Sequence, residues 1–170
     1  MGRFAAAVES QAAQLAGAPS GTTFNGYFAA VVAGASANFK LRRVRIGVRA
    51  GASVPTSQQM TIGCYRQTVR VAGTGFSTVA GLNLDPRGAA TAVTGIDVTT
   101  ATAAGTTGPT IGANPFYRDS FNTQSWLDIP YELLEEFICD QGTANGIAFV
   151  NIGNQLPSAH LFTLSCEWEE

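Results

Sequence analysis

The chain contains short segments in which apolar and polar residues alternate with a period of two, as in a half-buried β-strand. The clearest segment lies at 39–49, where Val44, Ile46 and Val48 alternate with arginines. A second alternation runs from His160 to 168, with the even-numbered residues on one face. No long window shows the periodicity of a helix. This pattern predicts an all-β fold.

Further strands are predicted where β-branched and aromatic residues cluster between turn residues. These strands cover 24–32, 60–71, 76–79, 125–129 and 147–152. Glycine-rich turns separate them, for example Asn145-Gly146 before the run at 147–152. Eight or so short strands with such turns predict an antiparallel β-sandwich of jelly-roll type, with 1–170 forming one domain.

Three segments fit this pattern less well. Residues 1–20 are either a short Ala-rich helix over Ala5–Leu15 or an extended N-terminal arm. Residues 86–115 are rich in Ala, Gly and Thr and predict a long loop, which either lies against a neighbouring subunit or is a mobile surface loop. Within it, Ile96–Thr102 has the composition of a strand. Tyr131–Ile138 is compatible with one or two helical turns.

Charged residues are scarce and sorted by position. They make up 13% of the chain, against about 25% in typical domains. All ten basic residues lie at or before Arg118, with three of the twelve acids, and the nine remaining acids lie after it, where no basic residue occurs. We infer that the two parts pair, within one subunit or between copies. The low charge also favours oligomerisation.

Arginines form a row on the predicted strand at 39–49, and Arg66 and Arg70 are predicted on a neighbouring strand. Arginine suits bidentate pairing with carboxylates, and the C-terminal glutamates are the favoured partners. Nucleic-acid binding is an alternative use of the row, but a pI near 5.4 argues against it. The candidate interface residues are Arg42, Arg43, Arg45, Arg49, Arg66, Arg70, Glu167, Glu169 and Glu170.

Catalytic motifs are missing from the sequence. His160 is the single histidine and is predicted in the core or at an interface, without a nucleophile-elbow motif elsewhere. The three cysteines, Cys64, Cys139 and Cys166, lack metal-binding spacing and are predicted as buried thiols in a reducing compartment. No stretch approaches the ~20 apolar residues of a membrane span. We expect no catalytic, cofactor-binding or metal-binding residues.

Carboxylates are the one reactive type that is dense enough for a hydrolase. A glycosidase pairs two of them beside aromatic side chains that hold the sugar, and the same aromatic side chains also suit a carbohydrate-binding module or the core. The candidate carboxylates are Glu135 and Glu136 with Asp140, or Asp119 with Asp128, and the candidate aromatics are Trp126 and Tyr131. We nevertheless predict that the chain is not an enzyme.

Several short motifs spread over most of the chain carry a resemblance. They are Met1-Gly2-Arg3, Arg42-Arg43-Val44-Arg45 in a strand ending at Gly51, Leu84-Asp85-Pro86, Pro109-Thr110, Trp126 with Ile129-Pro130, Asn145-Gly146-Ile147, and Glu167-Trp168-Glu169-Glu170. In these motifs the chain resembles small virion structural proteins of tailed bacteriophages, of the jelly-roll capsid decoration or cement type.

This resemblance implies a homotrimer, or a comparable oligomer, attached to the outer face of the major capsid protein lattice. The expected location is the virion capsid surface after synthesis in the host cytoplasm. The expected partners exclude nucleic acid, membranes and small-molecule substrates, and no cofactor is expected. The alternative is a carbohydrate- or host-surface-binding β-sandwich module of a phage head or tail fibre, and a small hydrolase is the third hypothesis.

Overall fold

The computed structural model describes residues 2–10, 26–51, 56–70, 75–99, 109–130, 137–157 and 159–170. Every regular element in these ranges is a β-strand, and none of them contains a helix able to span a membrane. The strands are β1 (Arg3–Glu9), β2 (Tyr27–Val32), β3 (Phe39–Ala50), β4 (Gln59–Val69), β5 (Phe76–Val79), β6 (Leu82–Asn83), β7 (Gly95–Thr99), β8 (Thr110–Ile111), β9 (Tyr117–Asn122), β10 (Trp126–Pro130), β11 (Phe137–Cys139), β12 (Gly146–Asn151) and β13 (His160–Glu169).

The strands form two antiparallel sheets packed as a sandwich. Sheet 1 has the order β10-β3-β13-β1-β6, with β11 also paired to β3, and sheet 2 has the order β5-β7-β2-β12-β4-β8, with β9 also paired to β4. Eight strands pair in a nested way: β1 with β13, β2 with β12, β3 with β10, and β4 with β9. Successive pairs alternate between the two sheets. This rolled-up set of hairpins is the jelly-roll arrangement, so the predicted β-sandwich is confirmed.

The core lies between the two sheets and is built from the inward positions of each alternating strand. Phe28 of sheet 2 stacks on Phe162 of sheet 1, with ring centroids 4.5 Å apart. Trp168, at the other end of β13, is fully buried and stacks on Phe4. Strands β2 and β12 are buried on both faces, as expected for the apolar run at 147–152.

A long insertion between β4 and β9 carries β5 to β8. Within it, β6 adds to the free edge of β1 and β7 adds to the free edge of β2. The insertion therefore covers two strand edges that a minimal eight-stranded roll would leave open to pairing with other chains. Gly81 allows this close approach, because a Cβ there would lie 2.3 Å from the Trp168 ring.

The predicted strands at 39–49, 76–79 and 160–168 are confirmed, and Gly95–Thr99 confirms a strand inside the segment 86–115. The helical alternative for Ala5–Leu15 is wrong where it can be compared, because Arg3–Glu9 is a strand inside sheet 1 rather than a helix or a free arm. Residues 11–20 lie outside the described residues. Helical turns were predicted for Tyr131–Ile138. Residues 131–136 of that segment also lie outside the described residues, and 137–138 belong to strand β11.

The three cysteines are buried free thiols, as predicted. Burial raises the pKa of Cys64 to about 12 and that of Cys139 to about 11. Burial also raises the pKa of Cys166 well above its ordinary value. All three thiols are therefore both inaccessible and protonated at neutral pH, which removes the reactive thiolate.

We therefore expect no cysteine of the native protein to react with an aromatic disulfide reagent at neutral pH. After unfolding in denaturant, all three should react. Absorbance of the released thiolate measures the number of reacting groups in each state. Rapid reaction of one thiol in the native protein would contradict the burial described here.

Candidate functional site

The outer face of sheet 1 carries most of the predicted arginine row because of a β-bulge in β3. The pairing of β3 with β13 shifts register between Glu167 and Trp168. Leu41 and Val44 both point into the core, so Arg42 and Arg43 between them both lie outside it. Such a bulge adds one residue to one strand and re-aims the side chains next to it. Two consecutive arginines thereby reach the same outer surface.

Carboxylates from β13 neutralise the arginines near the bulge. Arg42 donates a hydrogen bond to Glu169, and the two side chains are 18% and 13% exposed. Arg3 of β1 lies 3.9 Å from Glu167 and 3.8 Å from Glu169. The inference that early bases pair with late acids is thus confirmed here, within one subunit.

Asp128 of β10 neutralises the middle of the row. It accepts two hydrogen bonds from Arg43, at 2.9 and 2.5 Å, and lies 3.5 Å from the Arg45 guanidinium. The hydrogen bonds from Arg43 lower the pKa of Asp128, and its desolvation opposes them only in part. Asp128 is therefore an anion held between two cations, which is unsuited to the role of a general acid.

Arg49 and Glu9 form the far end of the row. Arg49 donates two hydrogen bonds of 2.6 Å to Glu9 of β1, in the fork geometry that favours arginine. These hydrogen bonds lower the pKa of Glu9. Glu9 is one of the three early acids, so the sorting of charge along the sequence did not predict this pair.

A groove of about 1130 Å³ runs over the same face, between the Arg45–Asp128 and Arg49–Glu9 pairs. Trp126 stands beside it with 71% of its surface exposed. The floor is low because the outward residues of β1, β3 and β13 are small there: Ala7, Gly47, Thr163 and Ser165. These small residues occupy the positions that alternate with the core positions, a pattern visible in the sequence from which no groove was predicted.

Arg66 and Arg70 do not extend the arginine row. They lie on or just after β4, which belongs to sheet 2, so the prediction that they neighbour the strand at 39–49 on one surface is wrong. Arg66 donates a hydrogen bond to the carbonyl of Ile138 and lies over the Phe116 ring, 5.0 Å from its centroid. Its position is at a sandwich edge.

Arg70 forms a separate ion pair on sheet 2. It donates hydrogen bonds of 2.7 Å to both carboxylate oxygens of Asp97, and Thr78 donates one of 2.6 Å to the same carboxylate. The side chain of Asp97 is 5% exposed and that of Arg70 is 34% exposed. Beside them, burial raises the pKa of Tyr27 well above its ordinary value. This pair fastens the end of β4 across the outer face of sheet 2.

Glu170 also lies away from the arginine row. It accepts hydrogen bonds from the side chain of Thr91 and from the backbone N–H groups of Ala92 and Val93, the latter two at 2.8 and 3.1 Å. The indole N–H of Trp168 donates to it as well, at 3.2 Å. The side chain of Glu170 thus holds the segment before β7 against sheet 1.

The candidate catalytic residues are not brought together. His160 is 2% exposed, and its Nε2 accepts a 3.3 Å hydrogen bond from the Thr56 backbone, which fits the predicted buried role. Asp119 lies on sheet 2 and Asp128 on sheet 1, so they share no face. Asp140 is exposed, while Tyr131, Glu135 and Glu136 lie outside the described residues. Within the described ranges no three His, Cys, Asp or Glu side chains converge to hold a metal ion.

Comparison with known proteins yields no relative from which function could be carried over. No family model, no curated protein and no solved structure matches the chain.

Two of the bidentate arginine pairs, Arg70–Asp97 and Arg49–Glu9, make a matched test of burial. We expect Arg70→Ala to lower the free energy of unfolding by about 2–3 kcal/mol, because it leaves the buried Asp97 carboxylate without its cation. This loss is smaller than the ~3–5 kcal/mol of a fully buried pair because Arg70 is partly exposed. Arg49→Ala should leave stability almost unchanged, since water solvates the exposed Glu9 that remains. Urea denaturation followed by tryptophan emission measures both. Equal losses in the two variants would contradict this assignment.

Asp128 should also make stability depend on pH in the acid range. Its pKa in the folded state lies below its ordinary value of 3.8. Its contribution is therefore fully present above that ordinary value and is lost as the pH falls through the lower, folded-state value. Asp128→Asn should unfold at a lower temperature than wild type at neutral pH, and the difference should shrink in acid. A difference that stays constant at every pH would refute the pairing.

Proposed function

We propose that this chain is a structural virion protein that decorates or cements a phage capsid through oligomeric contacts with the major capsid protein. The support is a jelly-roll sandwich, an architecture that occurs in viral capsid proteins but also in lectins and cupins. Because a fold alone does not determine function, the proposal rests on the surface. The observation that carries it is a pair of apolar edges on opposite sides of the sandwich.

The first apolar edge lies where the insertion ends both sheets. Leu82 is 75% exposed and Leu84 is 52% exposed, and Val79 of β5 is exposed next to the same turn. Strands β5 and β6 are the outermost strands of sheet 2 and sheet 1 at this side. Large apolar side chains on a terminal strand are unfavourable in water and invite contact with another chain.

The second apolar edge lies at the other side, around β4, β9 and β11. Ile138 and Val69 are exposed there, and Phe116 packs edge-on against Phe137, with ring centroids 4.5 Å apart. The two edges are formed by different residues. A contact between unlike edges is heterologous, and repeated around a closing axis it produces a ring such as a trimer. Oligomerisation as a homotrimer is therefore part of the proposal.

Because the charged residues on the face of sheet 1 are largely paired within the subunit, they are poor candidates for holding copies together. The predicted interface role of Arg42, Arg43, Arg45 and Arg49 is thus the weaker part of the proposal, and the apolar edges are the stronger part. Attachment to a lattice would follow from the summed contacts of the ring with several capsid subunits.

We expect the wild-type chain to sediment as a trimer. Leu82→Asp should sediment as a monomer with an unchanged β-sheet circular dichroism spectrum, because it places a charge in the first apolar edge. Thr143→Asp is the matched control, since it adds the same charge at an exposed turn at the end of the sandwich. A monomeric wild type, or a trimeric Leu82→Asp, would contradict assembly through this edge.

We also expect Leu82→Asp to be lost from phage particles. Epitope-tagged wild type and Thr143→Asp should sediment with purified particles made in infected cells, and Leu82→Asp should remain at the top of the gradient. Absence of all three chains from particles would rule out the proposed location in the virion.

A further inference from the structure

We propose that the groove on the outer face of sheet 1 is a binding site for a neutral glycan, with Trp126 as the stacking platform. This goes beyond the structural role proposed above and uses a different surface. The groove of about 1130 Å³ is larger than the roughly 300–1,000 Å³ typical of small-molecule pockets. Its size and open shape suit an extended chain of sugar rings rather than one compact metabolite.

Trp126 supplies an aromatic surface that the fold leaves uncovered. It lies on β10 opposite Gly47 of β3, and because glycine has no side chain the neighbouring floor stays low. The other tryptophan, Trp168, is fully buried, so exposure is not a general property of this residue type in the chain. A sugar ring has a face of C–H groups and a rim of hydroxyls, and an amphipathic indole binds such a face by stacking.

The polar lining fits hydroxyl groups without net charge. Arg45 and Arg49 face the groove together with Asp128 and Glu9, and each arginine lies against a carboxylate. Paired guanidinium and carboxylate groups offer fixed donors and acceptors side by side, as adjacent hydroxyls require. Asp128 is shared between Arg43 and Arg45, and Glu9 is held by Arg49, so each arginine at the groove already contacts a carboxylate. The site therefore selects a neutral glycan over a sulfated or sialylated one, or over nucleic acid.

The position of the groove argues against a peptide that binds by strand addition. In that mode an extended peptide adds a strand to a free sheet edge. The floor of this groove consists of β1, β3 and β13, which already pair with one another along their lengths. Their backbone hydrogen bonds are satisfied, so only side chains remain for recognition. The small outward residues Ala7, Thr163 and Ser165 let a ring approach closely from above.

The experiment uses intrinsic tryptophan fluorescence, because Trp126 and Trp168 differ so strongly in exposure. The full chain is titrated with four neutral polysaccharides, namely dextran, mannan, galactan and arabinan, and with heparin as the acidic probe. We expect at least one neutral polysaccharide to protect the exposed tryptophan from acrylamide quenching, and heparin to give no protection. Failure of all four, or a preference for heparin, would overturn the proposal.

Variants then locate the site. Trp126→Ala should weaken binding of the same polysaccharide at least tenfold by calorimetry, and Trp126→Phe should retain most of the affinity because it keeps an aromatic face. Ala7→Leu should also weaken binding by filling the floor, whereas Thr143→Leu, which adds the same side chain at an exposed turn, should not. Unchanged affinity in Trp126→Ala or Ala7→Leu would overturn the assignment to this groove.

Failure of the glycan proposal and failure of the assembly proposal can be told apart with two variants. Leu82→Asp should lose assembly and keep glycan affinity, whereas Trp126→Ala should keep assembly and lose glycan affinity. If Leu82→Asp abolished glycan binding as well, the site would require neighbouring subunits, and the single-subunit groove argued here would be wrong.

Discussion

The antiparallel pairing of β3 with β13 is the constraint on which both faces of sheet 1 depend. One side of this pair delivers Ile46, Phe162 and Trp168 to the core, and the other side carries the arginines and the groove. Since alternate residues of a strand face opposite ways, a slip of one residue would bury the arginines and expose the core. The bulge at Arg42 and Arg43 is tolerated because nearby carboxylates receive both guanidinium groups.

The charge arrangement links this pair to the surface properties of the whole molecule. Arg3, Arg42, Arg43 and Arg45 find late carboxylates in their own subunit, so part of the charge that is sorted along the chain is neutralised within one sheet. The face they share is consequently polar without being strongly charged. In the two proposals, contacts between copies use the apolar edges and a ligand uses the groove beside Trp126. Assembly and recognition would then occupy separate parts of one sandwich.

Local patterns predicted the strands that are amphipathic on their own, such as those at 39–49 and 160–168, and the buried state of His160. They failed where the decisive contact is distant in sequence. Ala5 to Ala7 have high intrinsic helix propensity, yet Phe4, Ala6 and Val8 all face the core, and pairing with β13 makes the segment a strand. The bulge, the choice of Asp128 and Glu9 as partners, and the placement of Arg66 and Arg70 on sheet 2 all depend on which strands become neighbours. No short window of sequence contains that information.

The most direct test of the proposed structural role is the copy number of this chain in purified phage particles made in cells that express it, measured by quantitative mass spectrometry against the major capsid protein. A decorating or cementing protein on a symmetric shell should be present in a fixed ratio to capsid subunits, on the order of hundreds of copies per particle. About a dozen copies or fewer would instead indicate a neck or tail component, and absence from the particle would contradict the account.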